Sequence, residues 1–269
     1  TTIKFEKGTV LVSESAIYAN GEPDEPILLT SAEDSWGGIL VSKSKDRSKW
    51  KHVKIENTTA IGQKVNQKGL DRNGWFCTGG VTFHQSEVDL LECSFVNSFA
   101  EDALNIISSN YSMLGCKFIS NASDAFDGDF VTGRISDSQF HDIRGDAIDL
   151  SGSEVEINKI LVENVLDKGI SAGEGTFLKI ENSEFRKIGF GIVSKDSSRI
   201  SANNLRIEGA KIAALAAYVK KENFGPAKIS TTNTTIIKSE LDHLSQIKSS
   251  IELNGLLLES THFDSKSLY

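Results

Sequence analysis

Gly145-Asp146-Ala147-Ile148-Asp149-Leu150 decides the fold, because variants of it return at a fixed interval. Upstream stand Glu101-Asp102-Ala103-Leu104-Asn105-Ile106 and Ser123-Asp124-Ala125-Phe126-Asp127-Gly128; downstream stand Asp167-Lys168-Gly169-Ile170-Ser171-Ala172 and Gly189-Phe190-Gly191-Ile192-Val193-Ser194. The small residues at 103, 125, 147, 169 and 191 are 22 apart, and Ala214 follows after 23. Looser copies precede them at Gly38-Ile39, Ala60-Ile61 and Gly80-Val81. A second column keeps step: Phe95, Phe118, Phe140, Val162, Phe185 and Ile207, with Cys93, Cys116, Ser138, Ile160, Ser183 and Leu205 two residues before each. A two-residue offset is the period of a strand, whose alternate side chains share a face. A bulky apolar residue once per repeat means that stacked repeats build one continuous core.

The repeat unit is strand rather than helix. Val155-Glu156-Ile157, Phe177-Leu178-Lys179-Ile180 and Arg199-Ile200-Ser201 are short alternating runs broken by Gly, Asn, Asp and Ser. A leucine-rich horseshoe needs several leucines and a helical stretch per repeat, which these columns lack. Three strands and three turns fit in 22 residues. The expected fold is all-β: a right-handed parallel β-helix of about ten coils, forming a single domain over residues 1–269. Residues 1–45 are expected to be irregular N-terminal coils containing a cap, since an open solenoid end exposes strand edges. Lys220–Pro226 interrupts the period as a surface loop, and residues 220–269 form less regular coils. Trp36, Trp50 and Trp75 are expected to pack, and Cys93 and Cys116 to be buried free thiols in the inward column.

Composition narrows the function. The chain has 269 residues, 39% hydrophobic and 25% charged, with a net charge of −8. A negative chain without a basic run lacks the cationic footprint of a nucleic-acid binder. No apolar stretch approaches the ~20 residues of a membrane span. The first residue is Thr, which suits a processed or excised segment, in which any export signal would be hidden.

An acidic stripe runs down one face of the expected solenoid. Outward positions hold Asn105, Asp127, Asp149 and Ser171, then Ile107, Asp129, Ser151 and Gly173; the corner before each strand holds Asp102, Asp124, Asp146 and Lys168. Adjacent coils are ~4.8 Å apart, and two ionised carboxylates ~5 Å apart repel by ~3 kcal/mol at an effective dielectric of ~20. A cation, a shared proton or nearby Lys and Arg must offset this. The corner aspartates have an alternative task, capping turns through backbone N–H groups.

The repeats resemble those of the pectate-lyase-like family of right-handed β-helices over roughly residues 30–215. That resemblance implies a carbohydrate-active protein, secreted or in the cell envelope, whose partner is an acidic polysaccharide. In its lyase or epimerase form, Asp124, Asp127 and Asp146 would hold Ca²⁺ and Lys168 would abstract the C5 proton. Asp149 and Asp129 complete the catalytic set, with Asn105, Arg144, Glu174 and Lys195 binding substrate. A second reading resembles an inverting glycoside hydrolase of polygalacturonase type, since Asp129 to Asp149 is a diagonal of ~8 Å; that family's Gly-His and Arg-Ile-Lys signatures are missing. A third is a non-enzymatic envelope module, with the aliphatic continuation of the stripe at Val193 and Ala216 as a docking surface.

Overall fold

A computed structural model describes residues 1–59, 70–72 and 75–268, without the side chains of 70–72 and 75–76. Ala60, Ile61 and the Trp75 side chain lie outside that description. The chain winds as a three-sided parallel β-helix. One sheet stacks, in order, Val10–Ser13, Gly38–Ser42, Gly79–His84, Asp102–Ile107, Asp124–Asp129 and Ile148–Ser151. The ends of the long strands Leu161–Gly173 and Phe177–Lys195 extend it, followed by Ala213–Tyr218 and His243–Ser245. A second sheet carries Asn110–Leu114, Thr132–Ser136, Glu154–Asn158, the start of Phe177–Lys195 and Arg199–Glu208 in turn, and a third is centred on Lys117–Ile119 and Gln139–Ile143.

The register confirms the repeat. Leu104 pairs with Phe126, Phe126 with Ile148, and Ile148 with Ile170, each one coil on. Inward residues are sealed, with Leu104, Phe126, Ile148, Phe140 and Phe185 each at 0% exposure. Phe95, Phe118 and Phe140 stack with ring centroids 4.9 and 4.8 Å apart, which is the coil spacing itself. Such pairs add ~0.5–1.5 kcal/mol beyond burial. Cys93 and Cys116 are free and buried in the inward column. Where that column holds Ser, the hydroxyl accepts a main-chain N–H of the preceding coil, as Ser138 does from Cys116 at 3.1 Å and Ser183 from Ile160 at 3.3 Å.

Each corner turns on one residue in the left-handed region. Ser108, Phe130, Gly152, Glu174 and Asp196 form one such column; Gly115, Asp137, Lys159, Asn182 and Asn204 a second; Ser120, Asp142, Asn164, Lys187 and Gly209 a third, all with φ between 49° and 72°. Non-glycine residues there cost ~1–3 kcal/mol each unless their surroundings fix them. Side-chain amide ladders help, such as Asn204 donating to Asn182 at 2.8 Å.

The N-terminal region is built of paired strands. Thr2–Phe5, Val10–Ser13 and Tyr18–Asn20 form a complete coil that pairs with Ile27–Ser31, Gly38–Ser42 and Ser48–Lys51. Trp36 is buried and stacks on Phe5 at 4.0 Å, while Trp50 meets Phe83 edge-on at 5.3 Å. In the C-terminal region the coils shorten after Lys228–Ile237, and Glu252 and Leu253 pair antiparallel with Leu257 and Leu256. The final residues fold back over the first sheet. Phe263 and Leu268 pack on Phe190, Val193, Ala213, Ala216 and Tyr218. Val193 and Ala216 are therefore covered by the chain's own C-terminal segment and are not a docking surface.

Candidate functional site

The outward face of the first sheet carries the acidic residues in register. Asn105 pairs with Asp127 and Asp127 with Asp149; Ile107 pairs with Asp129 and Asp129 with Ser151; Asp102 pairs with Asp124. The stripe is walled at both ends. Toward the N-terminus, Asn105 and Thr82 are buried and the Thr78 hydroxyl donates to Asp102 at 3.0 Å. Toward the C-terminus, Phe190, Tyr218 and the folded-back segment rise beyond Ser171. Between these walls Asp127, Asp129 and Asp149 remain partly exposed, forming the floor of a trough.

Corner and outward aspartates play different parts. Asp124 Oδ1 accepts the Asp146 N–H at 2.7 Å, and Asp146 Oδ1 accepts the Lys168 N–H at 3.0 Å. Each carboxylate thus caps the next coil, the turn-capping task open to them from sequence. Gly145 makes this approach possible, since a Cβ there would collide with the Asp124 carboxylate. The outward trio has no main-chain donor among the described residues. Asp127 Oδ2 accepts from the Asn105 amide at 2.7 Å, and Asp149 Oδ1 lies 4.0 Å from the Lys195 ammonium.

Crowding raises these carboxyls. Burial, then the charges of Asp102 and Asp129, push Asp127 well above the usual carboxylate range. Burial and then Asp149 raise Asp129, with the Asn105 amide pulling back. Burial, followed by the charge on Asp124, brings Asp102 to about 8. Burial lifts Asp124 to about 6 against the opposing Asp146 N–H. A proton resident on several of these groups is the principal relief of the repulsion.

Lys168 does not face the trough as a free base. It is 3% exposed, and its ammonium lies 3.2 Å from Asp146 and 2.7 Å from Asp167. Arg144 is exposed at the turn before Gly145, away from these pairs. Glu174 occupies a left-handed corner and bonds Lys221, which reaches in from the loop that interrupts the repeat. Burial alone would raise Glu174, but Lys221 and Ser151 bonds hold it below its ordinary value.

The expected metal set is not the one brought together. Among the described residues, ligand atoms of Asp124, Asp146 and Asp149 lie within 4.8 Å of one another, with Asp149 in place of Asp127. This set does not fit calcium, which takes six to eight oxygens, because Asp124 and Asp146 already accept main-chain N–H groups and Asp146 faces the Lys168 ammonium. The sequence reading missed Lys221, since nothing in the 22-residue period places an inserted loop; Ser171, expected as an outward position, is in register with Asp149, and its buried hydroxyl has no hydrogen-bond partner among the described residues. The sequence reading also missed Phe130, 66% exposed immediately after Asp129. The ring has room because position 152 is glycine; a Cβ there would lie 2.8 Å from it.

The catalytic domain of a GH87 alpha-1,3-glucanase in complex with nigerose is similar over 93% of this chain and 63% of its own, with 10% identity and a TM-score of 0.41. Tailspike protein 2 from Escherichia coli O157:H7 bacteriophage CAB120 is similar over 93% of this chain and 42% of its own, with 11% identity and a TM-score of 0.38. The chain thus spans less than two thirds of the glucanase domain's length. No curated protein sequence matches significantly. Residues 79–236, more than half of the chain, match the family model described as right handed beta helix region. The three-sided winding, the 22-residue register and this match together place the chain in the right-handed β-helix family.

Proposed function

We propose that the protein is a glycoside hydrolase acting on a polysaccharide laid in the acidic trough, with Asp129 as general acid and Asp149 as general base. The supporting observation is the outward trio itself: Asp127 and Asp129 stand on one coil and Asp149 opposite Asp127 on the next, free of main-chain caps among the described residues, with the first two raised above the ordinary carboxylate range. Asp129, raised by burial and by the charge of Asp149, is the carboxyl suited to hold the proton that is donated. From strand geometry the Asp129–Asp149 diagonal is ~8 Å, inside the ~6.5–9.5 Å that leaves room for the attacking water of an inverting enzyme. Asp129 would protonate the departing glycosidic oxygen while Asp149 takes a proton from that water. Lys195 beside Asp149 supplies counter-charge, and burial together with the charge of Asp149 helps keep the proton on Asp129. Phe130 offers a pyranose ring a flat apolar face at the trough's edge.

Hydrolysis is preferred to β-elimination because elimination needs a base near the sugar C5, and the candidate Lys168 is engaged by Asp146 and Asp167. No step is routed through calcium. The reading places the protein outside the cell or in its envelope, where polysaccharide is met. Incubation with a panel of uronate polymers and alpha-1,3-glucan tests it. New reducing ends without ultraviolet-absorbing unsaturated products support hydrolysis; an unsaturated product would return the trough to the lyase reading.

A further inference from the structure

The second sheet carries a groove of about 730 Å³ at its C-terminal end. Its floor is a column of outward residues in register: Glu154 pairs with Phe177, Phe177 with Arg199, and Arg199 with Lys228. The column is acidic at one end and cationic at the other, in a protein of net charge −8. Arg199 and Lys228 are both exposed and directly opposite on adjacent strands. Like charges so placed destabilise a sheet. No ion pair to either is found among the described residues, whereas in the neighbouring column Glu156 bonds Arg134 at 2.7 Å. Phe177, an aromatic 54% exposed, lies beneath the Arg199 guanidinium at 5.9 Å. Stability of the sheet alone explains neither feature.

The walls come from departures from the repeat. Pro226 closes the loop that interrupts the period, and Lys248, at φ 77°, precedes strand Ser250–Leu253 and adds a third cation. The loop serves two faces: its Lys221 bonds Glu174 beside the trough, while its Pro226 lines the groove.

We infer that this groove is a non-catalytic binding site for an anionic polysaccharide, with Arg199, Lys228 and Lys248 meeting its carboxylate or sulfate groups and Phe177 lying against a sugar ring. Guanidinium and ammonium groups on a shallow sheet match anions repeated along an extended chain. An apolar ring at the end of the cationic row suits a sugar better than a lone ion. Nucleic acid is the less favoured occupant, since the surrounding protein is acidic and three cations make a small footprint. The site stands independently of the hydrolase reading.

The test measures binding of a sized oligogalacturonate to the full chain by calorimetry, using Asp149→Asn to exclude turnover. Binding is expected with and without Asp149→Asn, weakening as salt rises to about 0.5 M, where screening shortens to a few ångströms. Arg199→Gln/Lys228→Gln should bind at least about tenfold more weakly, as loss of charge-assisted hydrogen bonds dictates, with an unchanged or higher melting temperature because both side chains are exposed. Phe177→Ala should weaken binding further, and dextran should not bind. Three results would overturn the inference: no oligogalacturonate binding, equal binding by the double variant, or tighter binding of a single-stranded oligonucleotide. Loss of binding in Asp127→Asn but not in the double variant would also overturn it, locating the ligand in the trough.

Discussion

Asp127 and Asp149 lie directly opposite each other on consecutive coils, 22 residues apart in the chain and one strand spacing apart in space. Nothing in a parallel solenoid requires two outward carboxyls to be stacked in this way. Their neighbours Asp102, Asp124 and Asp129 extend the conflict, and the molecule relieves it mainly by protonation and by the ammonium groups of Lys168 and Lys195.

This arrangement makes stability depend on pH above the usual carboxylate range. Folded Asp124 and Asp102 are raised to about 6 and about 8, against ~3.9 in an unfolded chain. A raised folded value means that the native state holds the proton more tightly. The contribution is therefore complete below about pH 4 and is lost as pH rises through 6 and then 8. Melting temperature should fall between pH 5 and pH 9, and Asp102→Asn should flatten the upper half of that fall. A melting temperature that rises across the range would contradict the assignment.

Lys168 and Asp146 are 3% and 4% exposed, so their pairing is sheltered from solvent. Removing one partner of a buried ion pair costs ~3–5 kcal/mol. Denaturant unfolding of Lys168→Met at pH 8 should show a loss of about 3 kcal/mol, shrinking at pH 5 where Asp146 takes up a proton instead. Lys168→Met/Asp146→Asn should recover much of it. An equal loss at both pH values would mean that packing, not charge, is what Lys168 supplies.

Calcium should leave the protein unchanged. A ligand that binds only the folded state at 100 times its Kd adds ~2.7 kcal/mol, easily seen in a melting curve. Titration with CaCl₂ or with a chelator is expected to leave the midpoint fixed, since Lys168 already faces Asp146. A rise with calcium, lost in Asp149→Asn, would reassign the carboxylate trio as a metal centre.

The folded-back C-terminal segment is a wall of the trough and part of the stability of the last coils. Phe263 packs on the Val193, Ala216 and Tyr218 patch and meets the Tyr218 ring at 6.2 Å. Phe263→Ala should cost about 2 kcal/mol, at the low end for a large-to-small change because the ring is only partly buried. Urea denaturation checks this; no change would mean that the segment lies loosely on the sheet.

The coil architecture was legible because its cause repeats. Small and bulky apolar residues 22 apart mark an inward column, and Phe118 over Phe140 is the direct consequence. The outward stripe followed from the same count, which is why Asp127 and Asp149 could be paired before any coordinates. The corner geometry was not legible: Phe130, Glu174 and Asp196 share one left-handed position although their side chains have nothing in common. The engagement of Lys168 was hidden for a related reason. Periodicity put it in the corner column with Asp102, Asp124 and Asp146, but only the turn shows its ammonium drawn to Asp167. The cover over Val193 and Ala216 comes from residues more than forty positions away and outside the repeat, so no period pointed to it.

The most direct test of the trough is the anomeric form of the first product, followed by proton NMR as a glycan is cleaved, together with rates for Asp129→Asn and Asp149→Asn. The account predicts inversion, with each variant slowed by about 10²–10⁴-fold, the usual contribution of a positioned acid or base. Retention of configuration, or full activity in either variant, would contradict it.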